Sequence, residues 1–254
     1  EDVPVYFLAW TTTPWTLPSN VALCVGPRFD YVRVLSFNPY TGQKAIYVLA
    51  KELVGAWFNA KAAEIPFEDY KPGDKLVPYK VLDGSFKGAD LVGIKYRQLI
   101  PWFTPVEEGE AFRVISGDYV TTEDGTGIVH IAPTFGADDK RVASAAGIVG
   151  IMPIDMNGNP MAQVDTQGRF VRLEDLDPRY VESSVDPSYN EFSGRYVKNA
   201  IDDYFRKLHG EEPLPKEAPV LDVDLCVMMK ADGRLFRMQK HVHSYPHSWR
   251  TDCP

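Results

Sequence analysis

Short apolar runs separated by turn residues dominate the first half of the chain. Residues 3–9 are β-branched and aromatic and predict a buried strand that runs into a stiff turn over 10–20. No helix is expected in that turn, because Pro14 and Pro18 each remove a backbone donor. Residues 21–25 are continuously apolar, 31–35 alternate, 38–42 carry turn residues and 45–50 are apolar again, which together predict a β-meander. Leu53, Trp57 and Phe58 at helical spacing predict one short amphipathic helix before Pro66. Glycine and proline punctuate 70–106 so often that strands and turns are favoured over helices there.

The second half mixes the two periods. Residues 123–127 read as a turn and 128–131 as a strand, with Val129 and Ile131 on one face and Ile128 and His130 on the other, so His130 need not point into the core. Residues 140–147 predict a helix closed by Gly147, with Asp138 or Asp139 available to cap it. Asn157-Gly158 marks a hairpin turn, and 173–177 a helix start or turn. Val197, Ile201, Tyr204, Phe205 and Leu208 form one stripe of an amphipathic helix, expected to face the core. After Pro219 the pattern predicts a two-stranded ribbon turning at 231–233, which leads into an aromatic and polar end at 245–254. An end of that kind looks cut from a longer chain.

Composition narrows the class. With 254 residues and 44% hydrophobic content, the chain can build a sizeable core as one large domain or two small ones. No apolar run reaches the length of a membrane span, and the first residues lack the regions of a signal peptide, so cytosolic residence is the expectation. Cys24, Cys226 and Cys253 are widely spaced and read as free thiols. His241, His243 and His247 lie near Cys253, but no paired zinc motif is complete, and no metal is assigned. The net charge of -8 argues against a broad electrostatic grip on nucleic acid. Lys230, Arg234, Arg237, Lys240 and Arg250, against Asp232 alone, leave a local basic segment that could touch it or simply be solvated.

Two stretches carry candidate chemistry. Residues 10–20 hold five threonines or serines, two tryptophans and two prolines, a rigid shelf of uncharged hydroxyls between apolar walls. Such a shelf suits a small polar ligand, or simply bridges backbone groups. In the second stretch, Gly125-x-Gly127 is too short for a dinucleotide or phosphate loop, and no lysine follows in register, which excludes nucleoside triphosphate binding there. Trp102-Phe103, with nothing basic beside it, reads as a core plug rather than a platform for a base.

Taken together, the 10–20 shelf, the 125–139 block and the 245–254 exit resemble the editing insertion of isoleucyl-tRNA synthetases, across essentially the whole chain. Thr13-Pro14-Trp15 follows the isoleucyl pattern rather than the leucyl or valyl one. Ser248 departs from the cysteine common at the exit, and no HIGH-like or KMSKS-like motif is present. The resemblance implies a mainly β fold with peripheral helices (α+β) around a closed β-barrel core. It implies a single editing domain over 1–254, with a ribbon and exit strand over 220–254 leading back to a catalytic domain. It also implies a deacylase that hydrolyses valyl-tRNA for isoleucine, and in addition valyl-adenylate, without cofactor or aminoacylation activity, as a monomeric unit of the synthetase chain.

On that resemblance, Asp139 holds the substrate α-ammonium, and Thr11, Thr12, Thr13 and Thr16 bind the aminoacyl group, the terminal adenosine and the attacking water. Trp10 belongs to the same wall, His130 discriminates against isoleucine, and Asn20 and Asp138 stand close by. Lys230, Arg234, Arg237 and Lys240 are candidate tRNA contacts. No residue is an obvious nucleophile, so water is expected to attack the ester directly. The alternative from another class is a β-rich module that binds an RNA 3′ end or a protein without chemistry.

Overall fold

The computed structural model describes residues 3–105 and 110–239. Its strands are β1 (Val5–Phe7), β2 (Ala22–Val25), β3 (Asp30–Phe37), β4 (Lys44–Ala50), β5 (Lys80–Val81), β6 (Phe86–Lys87), β7 (Arg113–Ser116) and β8 (Ile128–Ile131). Its helices are α1 (Val54–Trp57), α2 (Gly88–Leu91), α3 (Ala137–Ala145), α4 (Pro178–Ser184), α5 (Asn199–Leu208) and α6 (Leu221–Ala231).

Among the described residues these strands make two sheets. In the first, β1 runs parallel to β4, β4 pairs with β3 in an antiparallel hairpin, and β5 and β6 flank β3. In the second, β2 is central, parallel to β7 and antiparallel to β8, with Leu23 opposite His130. An isolated bridge between Trp10 and Val129 ties the sheets at one corner. The ladder among the described residues does not close into a barrel, and the architecture is mixed α/β rather than mainly β. The expected meander is corrected too, since β2 leaves β3 and joins the other sheet.

The period-2 rule explains the layering. Leu23, Val25, Val114 and Ile128 point toward Tyr31, Val48 and Ala50 of the first sheet, while Ala22, Cys24, Ile115 and Ile131 point the other way. That second face is covered by Trp102, Phe103, Phe170 and Tyr189 and by Val142 and Ala143 of α3. A strand buried on both faces must be apolar throughout, which is why 21–25 shows no alternation. Trp102 and Phe103 are the expected plug, 1% and 0% exposed, with Trp102 edge-on to Phe170 at 5.7 Å. Each such aromatic pair adds about 0.5–1.5 kcal/mol beyond its area.

Several local expectations are overturned. β1 is an edge strand with no fully buried residue. Pro14–Ser19 form a 3-10 turn, which Pro14 enters without loss because the first turn of a helix needs no donor. The helix expected over 51–63 breaks into 3-10 pieces around the four-residue α1. The ribbon expected from 220 is instead helix α6, whose Leu221, Leu225 and Met229 recur every fourth residue and bury against the 3-10 turn. The exit at 245–254 lies outside the described residues, as do His241, His243, His247 and Cys253. The stripe of α5 is not core either: Val197 just before the helix is buried, but no residue inside α5 is, and Leu208 is 64% exposed.

Candidate functional site

A cavity of about 330 Å³ opens where residues 10–20 cross the end of β8 and face the start of α3. Trp10, Thr11, Thr12, Thr13 and Thr16 line one side, and His130, Ala132, Gly136 and Asp139 the other. Two regions distant in sequence, 10–16 and 119–139, therefore meet on one surface.

The shelf is held by its own hydrogen bonds. The Thr13 amide donates to Thr11 Oγ1 at 3.0 Å, and Thr16 Oγ1 donates to the Thr13 carbonyl at 2.9 Å. Thr13 Oγ1 lies 3.3 Å from Thr11 Oγ1 and 3.4 Å from Thr16 Oγ1. The Thr12 side chain lines the cavity without a hydrogen-bond partner among the described residues. Behind the shelf, Trp15 packs edge-on against Phe135 at 5.1 Å.

The opposite rim is a tight turn pinned from behind. Gly125 and Gly127 both have positive φ, 67° and 72°, which suits glycine. Trp57 donates its indole N–H to the Gly125 carbonyl at 2.7 Å, and the Ala50 amide donates to Thr126 O at 2.9 Å. Tyr31 donates to the Gly127 carbonyl at 2.6 Å while its oxygen accepts from the Gly26 amide at 2.9 Å. A Cβ at Gly127 would stand 2.5 Å from that of Ala50.

Asp139 does not cap α3 through its side chain; the cap position is Gly136, with no side-chain cap hydrogen bond. Its Oδ2 instead accepts from the Ala132 amide at 2.8 Å, which fixes the carboxylate at the cavity floor. Burial raises its pKa above the usual carboxylate value, the Ala132 N–H pulls it back, and Asp138 pushes it up. Asp138, the next residue round the helix, points away. Its side chain is 73% exposed and pairs with Arg141 at 3.5 Å, so it does not line the cavity.

His130 is buried rather than turned away from the core, because the 10–20 segment covers its side of β8. Its Nε2 lies 2.9 Å from Thr16 Oγ1, and its Nδ1 lies 3.0 Å from Asn20 Nδ2. Burial lowers its pKa to about 4, so the ring is neutral near pH 7. Asn20 sits behind this wall rather than in it. Cys24 contributes no thiolate, since burial pushes its thiol up to about 11.

The basic segment is engaged within the fold. Arg234 donates to the Leu99 carbonyl and pairs with Asp232, and Arg237 donates to the carbonyls of Ala56 and Trp57 and lies over the Trp57 ring. Lys230 lies 4.8 Å from the centroid of the Tyr40 ring, and Lys240 is outside the described residues. Tyr119, Thr121, Asp124 and Phe135 also line the cavity. None was singled out from sequence, for each is a solitary residue of a type common in loops and cores.

Comparison with known proteins finds relatives. No protein-family model matches the chain. The isoleucine–tRNA ligase of Bacteroides thetaiotaomicron is 55% identical over 261 residues, covering 98% of this chain and 22% of that protein. That of Porphyromonas gingivalis is 54% identical over 252 residues, with 98% and 21% covered. The cytoplasmic isoleucine–tRNA ligase of Arabidopsis thaliana is 37% identical over 262 residues, with 98% and 18% covered. Among solved structures, the editing domain of the P. falciparum cytosolic leucyl-tRNA synthetase matches with a TM-score of 0.41 at 14% identity, over 92% of this chain and 78% of that one. Identity of this order along nearly the whole chain sets the class, a segment of an aminoacyl-tRNA ligase. Along nearly its whole length the chain is similar to isoleucine–tRNA ligases, and it spans about a fifth of the length of the curated relatives it matches. No helix among the described residues is long and apolar enough to cross a membrane.

Proposed function

We propose that this chain is a proofreading unit that hydrolyses valine from mischarged tRNA for isoleucine, and valyl-adenylate as a secondary substrate. The observation that carries the proposal is the convergence of the threonine shelf, His130 and Asp139 on one cavity, in a chain similar to isoleucine–tRNA ligases. A synthetic pocket gains only about 1–3 kcal/mol from one methylene, so a second site that admits valine and rejects isoleucine by size answers a physical need.

In this mechanism Asp139 accepts the α-ammonium of the aminoacyl ester through the carboxylate oxygen that Ala132 does not occupy. Thr11, Thr12 and Thr13 orient the ester and the attacking water, and Trp10 walls the same side. Water adds to the carbonyl carbon, the tetrahedral intermediate collapses, and the ester C–O bond breaks. The ribose oxygen of the terminal adenosine leaves and takes up the proton that the water has given up. The free neighbouring ribose hydroxyl relays that proton. His130 forms the wall against the longer side chain of isoleucine and supplies no base, since both ring nitrogens face protein partners.

The same reading makes the chain one editing unit within a longer cytoplasmic synthetase, built on a barrel-type core of which the two sheets are the halves. Lys230 is its remaining candidate for a tRNA contact. The test is hydrolysis of valyl-tRNA and isoleucyl-tRNA, both on the isoleucine tRNA, by the wild type and by Asp139→Ala. Val-selective hydrolysis lost in the variant is expected. Binding of the tRNA end with no hydrolysis at any enzyme concentration would replace this function with the non-catalytic binding module.

A further inference from the structure

Behind the cavity wall runs a chain of five hydrogen bonds that leaves the wall one arrangement of protons. Tyr96 donates its hydroxyl to Asn20 Oδ1 at 2.6 Å. Asn20 Nδ2 donates to the Ala22 carbonyl at 2.9 Å and faces His130 Nδ1 at 3.0 Å. His130 Nε2 faces Thr16 Oγ1, whose own proton goes to the Thr13 carbonyl.

The direction of the chain follows from the two carbonyls in it, which can only accept. The Ala22 carbonyl requires the amide nitrogen of Asn20 on its side, because the flipped amide would set two oxygens against each other. With the nitrogen there, Asn20 donates to Nδ1, so Nδ1 must carry the lone pair. A neutral imidazole then has its proton on Nε2, where it donates to Thr16 Oγ1. Thr16 is thereby supplied from one side and donates on the other. With the Thr16 proton already committed, Thr13 Oγ1 is the donor in its 3.4 Å contact with Thr16 Oγ1.

We propose that Tyr96, through Asn20, is a positioning residue that locks His130 in its Nε2–H tautomer and so fixes the wall that separates valine from isoleucine. The tautomer part stands on geometry alone; the selectivity part rests on the proposed editing function. Tyr96 touches no part of the cavity, and its burial on the far side of Asn20 accounts for a hydroxyl in an otherwise apolar setting next to Phe112. Without the tyrosine proton, Asn20 Oδ1 is left without its donor, which offsets part of the cost of turning that oxygen toward the Ala22 carbonyl; the turned amide, whose oxygen accepts from a protonated Nδ1, then competes with the original one. A wall with two shapes discriminates less well between ligands that differ by one methylene.

The chain has five histidines, few enough for the ring nitrogens of each to be followed by NMR in the full chain labelled at histidine. His130 is expected to show a protonated Nε2 and an unprotonated Nδ1, and to keep that pattern through the pH range in which free histidines titrate. Asn20→Asp, which puts a carboxylate acceptor against Nδ1, is expected to move the proton to Nδ1. Tyr96→Phe is expected to give a mixture of tautomers and, in the ligase carrying it, a several-fold loss of selectivity for valyl-tRNA over isoleucyl-tRNA while valyl-tRNA is still hydrolysed. A protonated Nδ1 in the wild type would overturn the proposal, as would a wild-type tautomer in both variants. A correct tautomer in a wild type that hydrolyses neither ester would overturn the selectivity part through the editing function, and leave the tautomer assignment standing.

Discussion

Helices α3 and α5 have nearly the same length, yet the one with the plainer pattern carries the cavity. α5 shows a clear apolar stripe through Ile201, Tyr204, Phe205 and Leu208, and buries none of it fully. Phe205 stacks on Tyr196 at 5.4 Å, and the polar ties of the helix, the Leu214 amide to Asp203 at 2.7 Å and Arg206 to the Glu212 carbonyl at 2.7 Å, run to the segment that follows it. α3 is short, charged in its first turn and weakly patterned, but Val142 and Ala143 are 7% and 0% exposed. Small residues let α3 come close to the second sheet, and closeness is what delivers Asp139 to the Ala132 amide. A site needs a helix whose position is fixed to a fraction of an ångström, and a stripe of large side chains on a surface does not supply that.

If the interior wall is as tightly determined as this contrast says, it should respond to pH. His130 is neutral in the fold with its pKa lowered from 6.5 to about 4, so its contribution is complete above pH 6.5 and is lost as the pH falls toward 4. Denaturant unfolding of the wild type and of His130→Gln between pH 7 and pH 4 should show the wild type losing on the order of 3 kcal/mol more. Equal losses would mean that the ring is not buried neutral.

Next in size, Asp139→Ala should reduce hydrolysis of valyl-tRNA by about 100-fold at unchanged folding, since a misplaced ester loses most of its orientation. Because burial raises the Asp139 pKa, the activity it supports should rise with pH, with a midpoint above 3.8. The stability contributed by its protonated form should correspondingly fall over the same rise, and a pH profile of single-turnover hydrolysis alongside unfolding checks both signs.

Gly127→Ala combines positive φ with a Cβ 2.5 Å from that of Ala50, and should cost about 2 kcal/mol in thermal unfolding. Gly158→Ala has φ of 81° with nothing within 4 Å, so it measures the backbone cost alone, about 1 kcal/mol. The smallest effects compare the helices themselves. Val142→Ala in α3 should cost about 1–2 kcal/mol, whereas Leu208→Ala in α5 should stay within about 0.5 kcal/mol. Equal costs would abolish the contrast.

The shelf is legible in the sequence as a cluster of threonines, whereas His130 and Asp139, alone a strand histidine and a candidate helix cap, stand out only through the family resemblance. Asp138 against Asp139 was not legible, since neighbours on a helix point about 100° apart and only the placement of α3 decides which one faces inward. Tyr96 and Tyr119 were invisible for another reason, as single tyrosines whose value comes from partners remote in the chain. α6 was legible and misread. Leu221, Leu225 and Met229 recur at helical spacing, but the turn at 231–233 suggested a hairpin, whereas Gly233, with φ of 68°, follows the end of the helix. β2 was misplaced because a continuous apolar run states that a strand is central without naming its neighbours.

The turn at Gly125–Gly127, pinned by Trp57, Ala50 and Tyr31, has a kinetic consequence. A rim tied at three points, to α1 and to two strands of the first sheet, does not wait for a slow rearrangement before it admits a ligand. Arrival and departure then depend on how often a correctly oriented chain end meets a fixed aperture, and on how long it dwells there. Sorting of this kind acts through residence time: a group that fits stays long enough to react, and one that does not fit diffuses away unchanged.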